Sequence, residues 1–212
     1  SMKSDFCITH FFNPVRFMRL LEIVETPQVD VKKLESLRDF CQNELGKGIV
    51  NCNDTPGFIG NRIGVFAMQV AMYEALDRGL PVEIADALFG RPLGIPKTGV
   101  FGLYDLIGID LMKDVLASFK KELNEDDPFM DVVKPHPIVE QLLEKGYTGN
   151  KGPGGFYETK IVDGDEITKA LNTTDMSYYE FDKVDLPIAR RVEKEGIKAL
   201  LNDDSKYGNY AF

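Results

Sequence analysis

A single strand–helix–strand pattern in the first 52 residues limits most strongly the folds open to this chain. Apolar runs at residues 19–25 and 49–52 predict two short strands, and residues 5–14 predict another before them. Between the two runs, Asp30 is a predicted N-cap for a helix with apolar residues at helical spacing, Val31, Leu34, Leu37, Cys41 and Leu45. A strand, a helix and a strand in this order are typical of a βαβ unit. One such unit cannot form a stable parallel sheet alone, because its strands need neighbours. Residues 1–55 are therefore expected to be the end of a larger α/β domain.

Beyond residue 55 the sequence predicts helices. Thr55 is a predicted N-cap and Pro56 the first residue of a long helix that ends at Gly79. That helix is apolar on nearly every side, so we expect a central buried helix or a subunit contact. Further helices are predicted at 81–90, at 103–107, from Asp110 as N-cap to Leu123, at 138–145, and from a cap at Asp185 to about Leu201. Residues 91–100 are a predicted loop, and residues 162–165 a hairpin turn.

Composition excludes several classes of function. A net charge of −9 with no stripe of Lys and Arg argues against a nucleic-acid partner. No apolar run is long enough for a membrane span, and no signal-peptide pattern is present. The three cysteines are scattered and form no Cys-x-x-Cys motif, which favours a reducing, cytoplasmic location. The two histidines, His10 and His136, are far apart in sequence, so no zinc site is expected.

His10 and Glu22 are the candidate catalytic residues. His10 precedes Phe11-Phe12-Asn13-Pro14, and Glu22 is the only carboxylate in the apolar run Leu20-Leu21-Glu22-Ile23-Val24. A buried carboxylate is costly unless it is paired, and a nearby imidazole would pair it. A histidine with a carboxylate behind it is a general acid/base unit. The alternative is a structural histidine and a glutamate at a solvated strand end.

Two further positions carry weaker signals. Asn61 interrupts the apolar surface of the long helix, as a functional amide or simply as an exposed one. Lys151 opens the glycine-rich stretch Lys151-Gly152-Pro153-Gly154-Gly155, which is either an anion-binding loop or a plain turn. Neither G-x-G-x-x-G nor a Walker A motif occurs in the chain.

Four stretches in order resemble the 3-hydroxyacyl-CoA dehydrogenase family. They are Thr9–Pro14 with Leu21–Val24, Asp54–Arg62, Phe101–Gly108 and Lys151–Tyr157. The likeness covers residues 5 to about 157, and residues 158–212 resemble, more weakly, the extension of longer, multifunctional members of fatty-acid β-oxidation. The glycine loop of this chain, Lys-Gly-Pro-Gly-Gly at 151–155, departs from the commoner Lys-Thr-Gly-x-Gly form of the family.

The resemblance implies a role for each matching residue. His10 matches the catalytic base, Glu22 the carboxylate that orients it, and Asn61 an amide donor to the substrate oxygens. Asn13 and Lys151 match positions near the nicotinamide and its ribose. NAD is the implied cofactor, an acyl-CoA the substrate and a second copy of the chain the partner, in a homodimer formed through the helical domain.

The resemblance also implies a domain organisation. The predicted fold is mainly α, with residues 1–55 as a remnant βαβ of a Rossmann-type NAD domain. An all-helical domain for dimerisation and substrate follows at 56–157, and an extension with a further helix at 158–212. The chain is thus expected to be a C-terminal fragment that lacks most of the NAD domain and is inactive alone. A helical oligomerisation module with no activity of its own is the alternative function.

Overall fold

The computed structural model describes residues 2–90, 93 and 97–211. The chain divides into two compact units, with the division between Phe66 and Ala67. Most of the loop predicted at 91–100 lies outside the described residues. In the part of the chain that the structure describes, no helix combines the length and apolar character needed to cross a bilayer.

The first unit contains a three-stranded sheet with a helix between two of its strands. Its elements are β1 (Ile8–Phe11), β2 (Leu20–Val24), α1 (Val31–Asp39, continued by a π-helical turn at Phe40–Glu44) and β3 (Gly48–Cys52). Strand β2 lies in the centre, parallel to β3 and antiparallel to β1. The β2–α1–β3 segment is therefore the predicted βαβ unit, and it is confirmed.

Strand β2 is buried on both of its faces. Leu21 and Ile23 pack with Leu34 and Cys41 in one apolar cluster. Glu22, which points to the opposite face by the alternation of a strand, is also fully buried. The Asp30 side chain accepts hydrogen bonds from two backbone N–H groups of the first turn of α1, which confirms the predicted N-cap.

Helix α2 (Gly60–Asp77) begins later than predicted. Residues 56–59 form turns, and Thr55 is not its N-cap. The first N–H groups are instead satisfied by a carboxylate from the sheet, described below. The helix is buried at Val65, Met68 and Met72 but exposed at Ile63 and Val70, so it is not surrounded by protein on every side.

Among the described residues, the second unit continues with the α-helices α3 (Val82–Leu88), α4 (Gly99–Ile107), α5 (Ile109–Glu122) and α6 (Pro137–Glu144). The predicted N-cap of α5, Asp110, is wrong: Gly108 occupies that position, and its backbone has a positive φ. The His136 imidazole, to which the sequence assigned no role, accepts a hydrogen bond from the Ile138 N–H and caps α6.

The segment after residue 156 corrects the predicted fold class. It forms an antiparallel sheet of β4 (Tyr157–Val162), β5 (Asp165–Leu171) and β6 (Tyr178–Glu180), with the predicted hairpin turn between β4 and β5. The helix predicted from Asp185 is interrupted at Gly196 into α7 (Pro187–Glu195) and α8 (Lys198–Leu201), and α9 (Lys206–Ala211) follows. The chain is thus a mixed helix-and-sheet protein, and the extension is more than one further helix.

Candidate active site

The register of the first sheet places His10 directly opposite Glu22 on neighbouring antiparallel strands. The His10 Nδ1 and the Glu22 Oε2 lie 2.7 Å apart, within hydrogen-bond distance. The Glu22 side chain is 1% exposed, whereas the His10 side chain is 30% exposed. The structure therefore brings together the two residues that the sequence singled out, with the carboxylate inside and the imidazole reaching the surface.

Glu22 accepts three further hydrogen bonds through its other oxygen. The backbone N–H groups of Ile59 and Gly60 donate to Oε1 at 2.9 and 2.6 Å, and the Cys52 thiol lies 3.6 Å from the same atom. Because these two N–H groups lie at the start of α2, the carboxylate also receives the favourable end of the helix dipole. Glu22 is in effect the N-terminal cap of α2, supplied from another element.

These contacts decide the ionisation of Glu22. Burial by itself raises the pKa of the carboxyl, but the hydrogen bonds from His10, Gly60, Ile59 and Cys52 lower it, and the net result is a lowered pKa. Burial raises the pKa of the Cys52 thiol, and the Glu22 anion raises it further. At neutral pH Glu22 is therefore a buried carboxylate, and Cys52 is a protonated thiol that donates towards it.

Two aromatic rings hold the imidazole of His10. The Phe12 ring packs edge-on against it, with centroids 4.7 Å apart, and the Phe58 ring lies at 5.8 Å. Since Nδ1 is occupied by Glu22, Nε2 is the nitrogen that remains for a ligand. An oriented imidazole with one free nitrogen and an anion behind it can accept a proton and stabilise the resulting cation.

Asn13 and Asn61 are both exposed. Asn13 follows β1 in the loop after Phe12, and Asn61 is the second residue of α2, next to the glycine that binds Glu22. Their roles towards substrate and cofactor stay predictions.

Lys151 belongs to the second unit. Its ammonium pairs with the Asp110 carboxylate at 2.6 Å, a hydrogen bond that holds the pKa of Asp110 below its ordinary value. The lysine is therefore already paired within its own unit, a partner that sequence reasoning missed.

The glycine-rich loop around Lys151 is fixed by a second buried carboxylate, Asp105. Its two oxygens accept from the backbone N–H groups of Phe156 and Tyr157 at 2.9 and 2.7 Å. Burial raises the pKa of Asp105 to about 7, although these bonds oppose the rise. Sequence reasoning also missed this residue, even though Asp105 interrupts an apolar run in the same way as Glu22 does.

Two glycines make room for Asp105. A Cβ at Gly155 would lie 2.7 Å from its Cγ and nearer still to Oδ1, and a Cβ at Gly149 would lie 2.8 Å from its Cα. Gly149 and Gly155 are thus explained by close packing against Asp105, whatever the loop binds.

The contacts of Glu22 with the start of α2 were also missed from the sequence. Gly60 and Ile59 act through backbone N–H groups, which leave no signal in a side-chain pattern. Cys52 was read only as a scattered cysteine.

The site lies in an α/β unit with a histidine–carboxylate pair, and a unit of helices and an antiparallel sheet follows it in the chain. Comparison with known proteins gives the class. Residues 1–55 match the NAD-binding domain of 3-hydroxyacyl-CoA dehydrogenase, and residues 57–159 match its C-terminal domain. The chain belongs to the 3-hydroxyacyl-CoA dehydrogenase family.

Individual relatives agree with this assignment. The chain is 40% identical over 208 residues to a putative fatty acid oxidation complex trifunctional enzyme of Rickettsia felis, which covers 98% of the chain and 28% of that protein. It is 33% identical over 211 residues to a probable 3-hydroxyacyl-CoA dehydrogenase of Bacillus subtilis, covering 97% of the chain and 26% of that protein. The chain thus spans little more than a quarter of the length of these curated relatives.

Among solved structures, FadB2 of M. tuberculosis matches with a TM-score of 0.61 and 30% identity. The match covers 72% of this chain and 51% of that one.

Proposed function

We propose that this chain takes part in the NAD-dependent oxidation of L-3-hydroxyacyl-CoA to 3-oxoacyl-CoA in fatty-acid β-oxidation. The observation that carries the proposal is the buried Glu22 carboxylate, 2.7 Å from Nδ1 of a partly exposed His10. The family supports the reaction, and the name of the Rickettsia felis relative supports the pathway.

His10 is the proposed base. The Glu22 carboxylate keeps a proton on Nδ1 and so leaves the lone pair of Nε2 for the substrate. As the C3–H bond breaks and hydride leaves C3, the 3-hydroxyl proton passes to Nε2 and the C3–O bond becomes a carbonyl. The resulting imidazolium is stabilised by the adjacent anion, and in the reverse direction it returns the proton to the 3-oxygen.

NAD supplies the hydride acceptor when it is bound. The donor set at the reacting end fits that chemistry, because a neutral base oriented by a carboxylate is what removal of a hydroxyl proton needs. Asn13 would contact the nicotinamide side and Asn61 would donate to a substrate oxygen as negative charge develops. Lys151 would have to exchange its bond with Asp110 for one to the ribose.

The same 212 residues do not fit the whole cofactor. They contain no G-x-G-x-x-G motif, the loop that receives a dinucleotide pyrophosphate in Rossmann-type domains. We therefore propose that these residues do not catalyse the NAD-dependent reaction by themselves.

The test is NADH oxidation with acetoacetyl-CoA, run on this chain and on a full-length family member side by side. We expect turnover by the full-length protein alone, and a loss of roughly 10²–10⁴-fold when the residue that matches His10 becomes Gln. Turnover by both proteins would contradict the proposed cofactor requirement, and unchanged turnover of the Gln variant would contradict the base assignment.

A second candidate function is a helical oligomerisation module. The observation in its favour is the exposure of apolar side chains along α2, with Ile63 at 66% and Val70 at 36%. Sedimentation of the chain and of an Ile63→Glu variant would show a dimer that the charge dissociates. If no full-length relative shows turnover and the chain forms such a dimer, this function would be favoured over the first.

A further inference from the structure

Gly60, the first residue of α2, lies against the Glu22 carboxylate and against Phe12, the ring that packs on His10. Its backbone N–H donates to Oε1 of Glu22 at 2.6 Å. On its other side, a Cβ added at Gly60 would lie 2.8 Å from Cε1 of the Phe12 ring and nearer still to Cζ. The Phe12 ring in turn packs on the His10 imidazole at a centroid distance of 4.7 Å.

Backbone conformation does not explain a glycine at this position. The chain has glycines with a positive φ, which disfavours other residues, but Gly60 is not one of them. The Phe12 ring occupies the space that a Cβ would need, since real Cβ atoms do not approach other heavy atoms below 3 Å.

We propose that Gly60 is a positioning residue of the His10–Glu22 pair. Without a Cβ at this residue, the start of α2 comes close enough to bind Glu22 while Phe12 remains on the His10 ring. A Cβ at this residue forces one of two changes: either the Phe12 ring is pushed into the imidazole and turns it, or the start of α2 moves and lengthens its bond to the carboxylate. Both changes release His10 from the orientation in which Nδ1 faces Glu22.

The inference deepens the proposed function, because it concerns the same site, but it can be tested without substrate or cofactor. The readout is the tautomer of the neutral His10 ring, from nitrogen-15 NMR of the imidazole. The chain has only two histidines, and His136→Asn assigns the other signal. The structure requires the Nδ1–H form at His10, since Nδ1 donates to Glu22.

Gly60→Ala is the test variant and Gly64→Ala is its matched control. Both replace a glycine in the first turns of the same helix, but a Cβ at Gly64 meets nothing within 4 Å. We expect Gly60→Ala to lose the Nδ1–H form and Gly64→Ala to keep it. Retention of the Nδ1–H form by Gly60→Ala would overturn the proposal, even if the variant were less stable, because the role of Gly60 would then be structural only.

A double variant tests whether the collision with the Phe12 ring is the cause, and it keeps the proposal testable if Gly60→Ala does not fold. Leucine at position 12 lacks the Cε1 and Cζ atoms that would collide with the new Cβ. We expect Phe12→Leu with Gly60→Ala to fold and to show the Nδ1–H form. Failure of the double variant to show it, when Phe12→Leu alone does, would overturn the proposal. If these variants behave as expected but full-length family members show no turnover, the result would count against the proposed function and not against this inference.

Discussion

Replacement of Glu22 by Ala and by Gln separates its two tasks, the support of α2 and the orientation of His10. Alanine leaves the N–H groups of Ile59 and Gly60 without the acceptor that they now have at 2.9 and 2.6 Å. An unsatisfied buried N–H costs about 1–3 kcal/mol, and removal of one member of a buried charged pair costs about 3–5 kcal/mol. We therefore expect Glu22→Ala to lower the free energy of unfolding by about 3–5 kcal/mol.

Glutamine keeps an oxygen in the position of Oε1 and loses only the charge. Since hydrogen bonds to charged groups are about twice as strong as neutral ones, we expect Glu22→Gln to cost about 1–2 kcal/mol. Its NH₂ group would face Nδ1 of His10 and favour the opposite tautomer, with the proton on Nε2. The Gln variant should therefore fold but lack the proposed base.

The assay is urea unfolding at pH 7, combined with amide hydrogen exchange at residues 59 and 60. Exchange at these two amides should be much faster in the Ala variant and only moderately faster in the Gln variant, which keeps a neutral acceptor. Because the pKa of Glu22 is lowered in the fold, its charge stabilises the protein above the pKa of the unfolded carboxyl. This stabilisation is lost as the pH falls through the folded pKa, so the difference between the native protein and Glu22→Gln should shrink in acid. Equal costs for Ala and Gln, with unchanged exchange, would refute the account of Glu22 as a helix cap.

Three other substitutions test separate parts of the structure. Burial lowers the pKa of the His136 imidazole, with a partial opposing effect of Asp77, so its contribution to stability should be lost as the pH falls. His136→Asn keeps an N-cap and should remove that part of the pH dependence of Tm, which lies below about pH 6.5 because the folded pKa is lower than the unfolded one. An unchanged profile would contradict this account. Asp105→Asn can accept a hydrogen bond from only one of the two N–H groups of the glycine-rich loop, and should lower the free energy of unfolding in urea by about 1–3 kcal/mol. An unchanged free energy of unfolding would show that Asp105 does not anchor the loop. Lys47→Met removes the ammonium that donates to two backbone carbonyls of the loop after β1, at 2.5 and 2.8 Å. It should lower the free energy of unfolding by about 1–3 kcal/mol. A stability equal to that of the native protein would show that water replaces the ammonium.

The parts of the fold that follow from local patterns were predictable from the sequence. The βαβ unit follows from apolar periodicity and an aspartate cap, and both are observed. Glu22 was identifiable because a carboxylate within a buried strand needs a partner, and His10 is that partner in the structure. The catalytic roles of both residues stay predictions.

The parts that depend on long-range contacts were not predictable. The start of α2 was misplaced because its N–H groups are capped by Glu22, far away in sequence, and not by Thr55. The β4–β6 sheet was missed because only its hairpin turn has a strong local signal. Its β4 strand is mostly exposed and shows no alternation of buried and exposed residues.

The close packing of Asp105 with Gly149 and Gly155 restricts how related sequences can diverge. A side chain at either glycine collides with Asp105, while loss of the carboxylate leaves two backbone N–H groups without their acceptor. Each single change is therefore unfavourable, although a combined change could relieve the collision. In an alignment of relatives, Asp105 and Gly155 should be retained together or replaced together, because the collision at Gly155 is with the aspartate side chain. Gly149 should stay glycine in both cases, because its Cβ would meet the backbone of residue 105 and its own φ is positive.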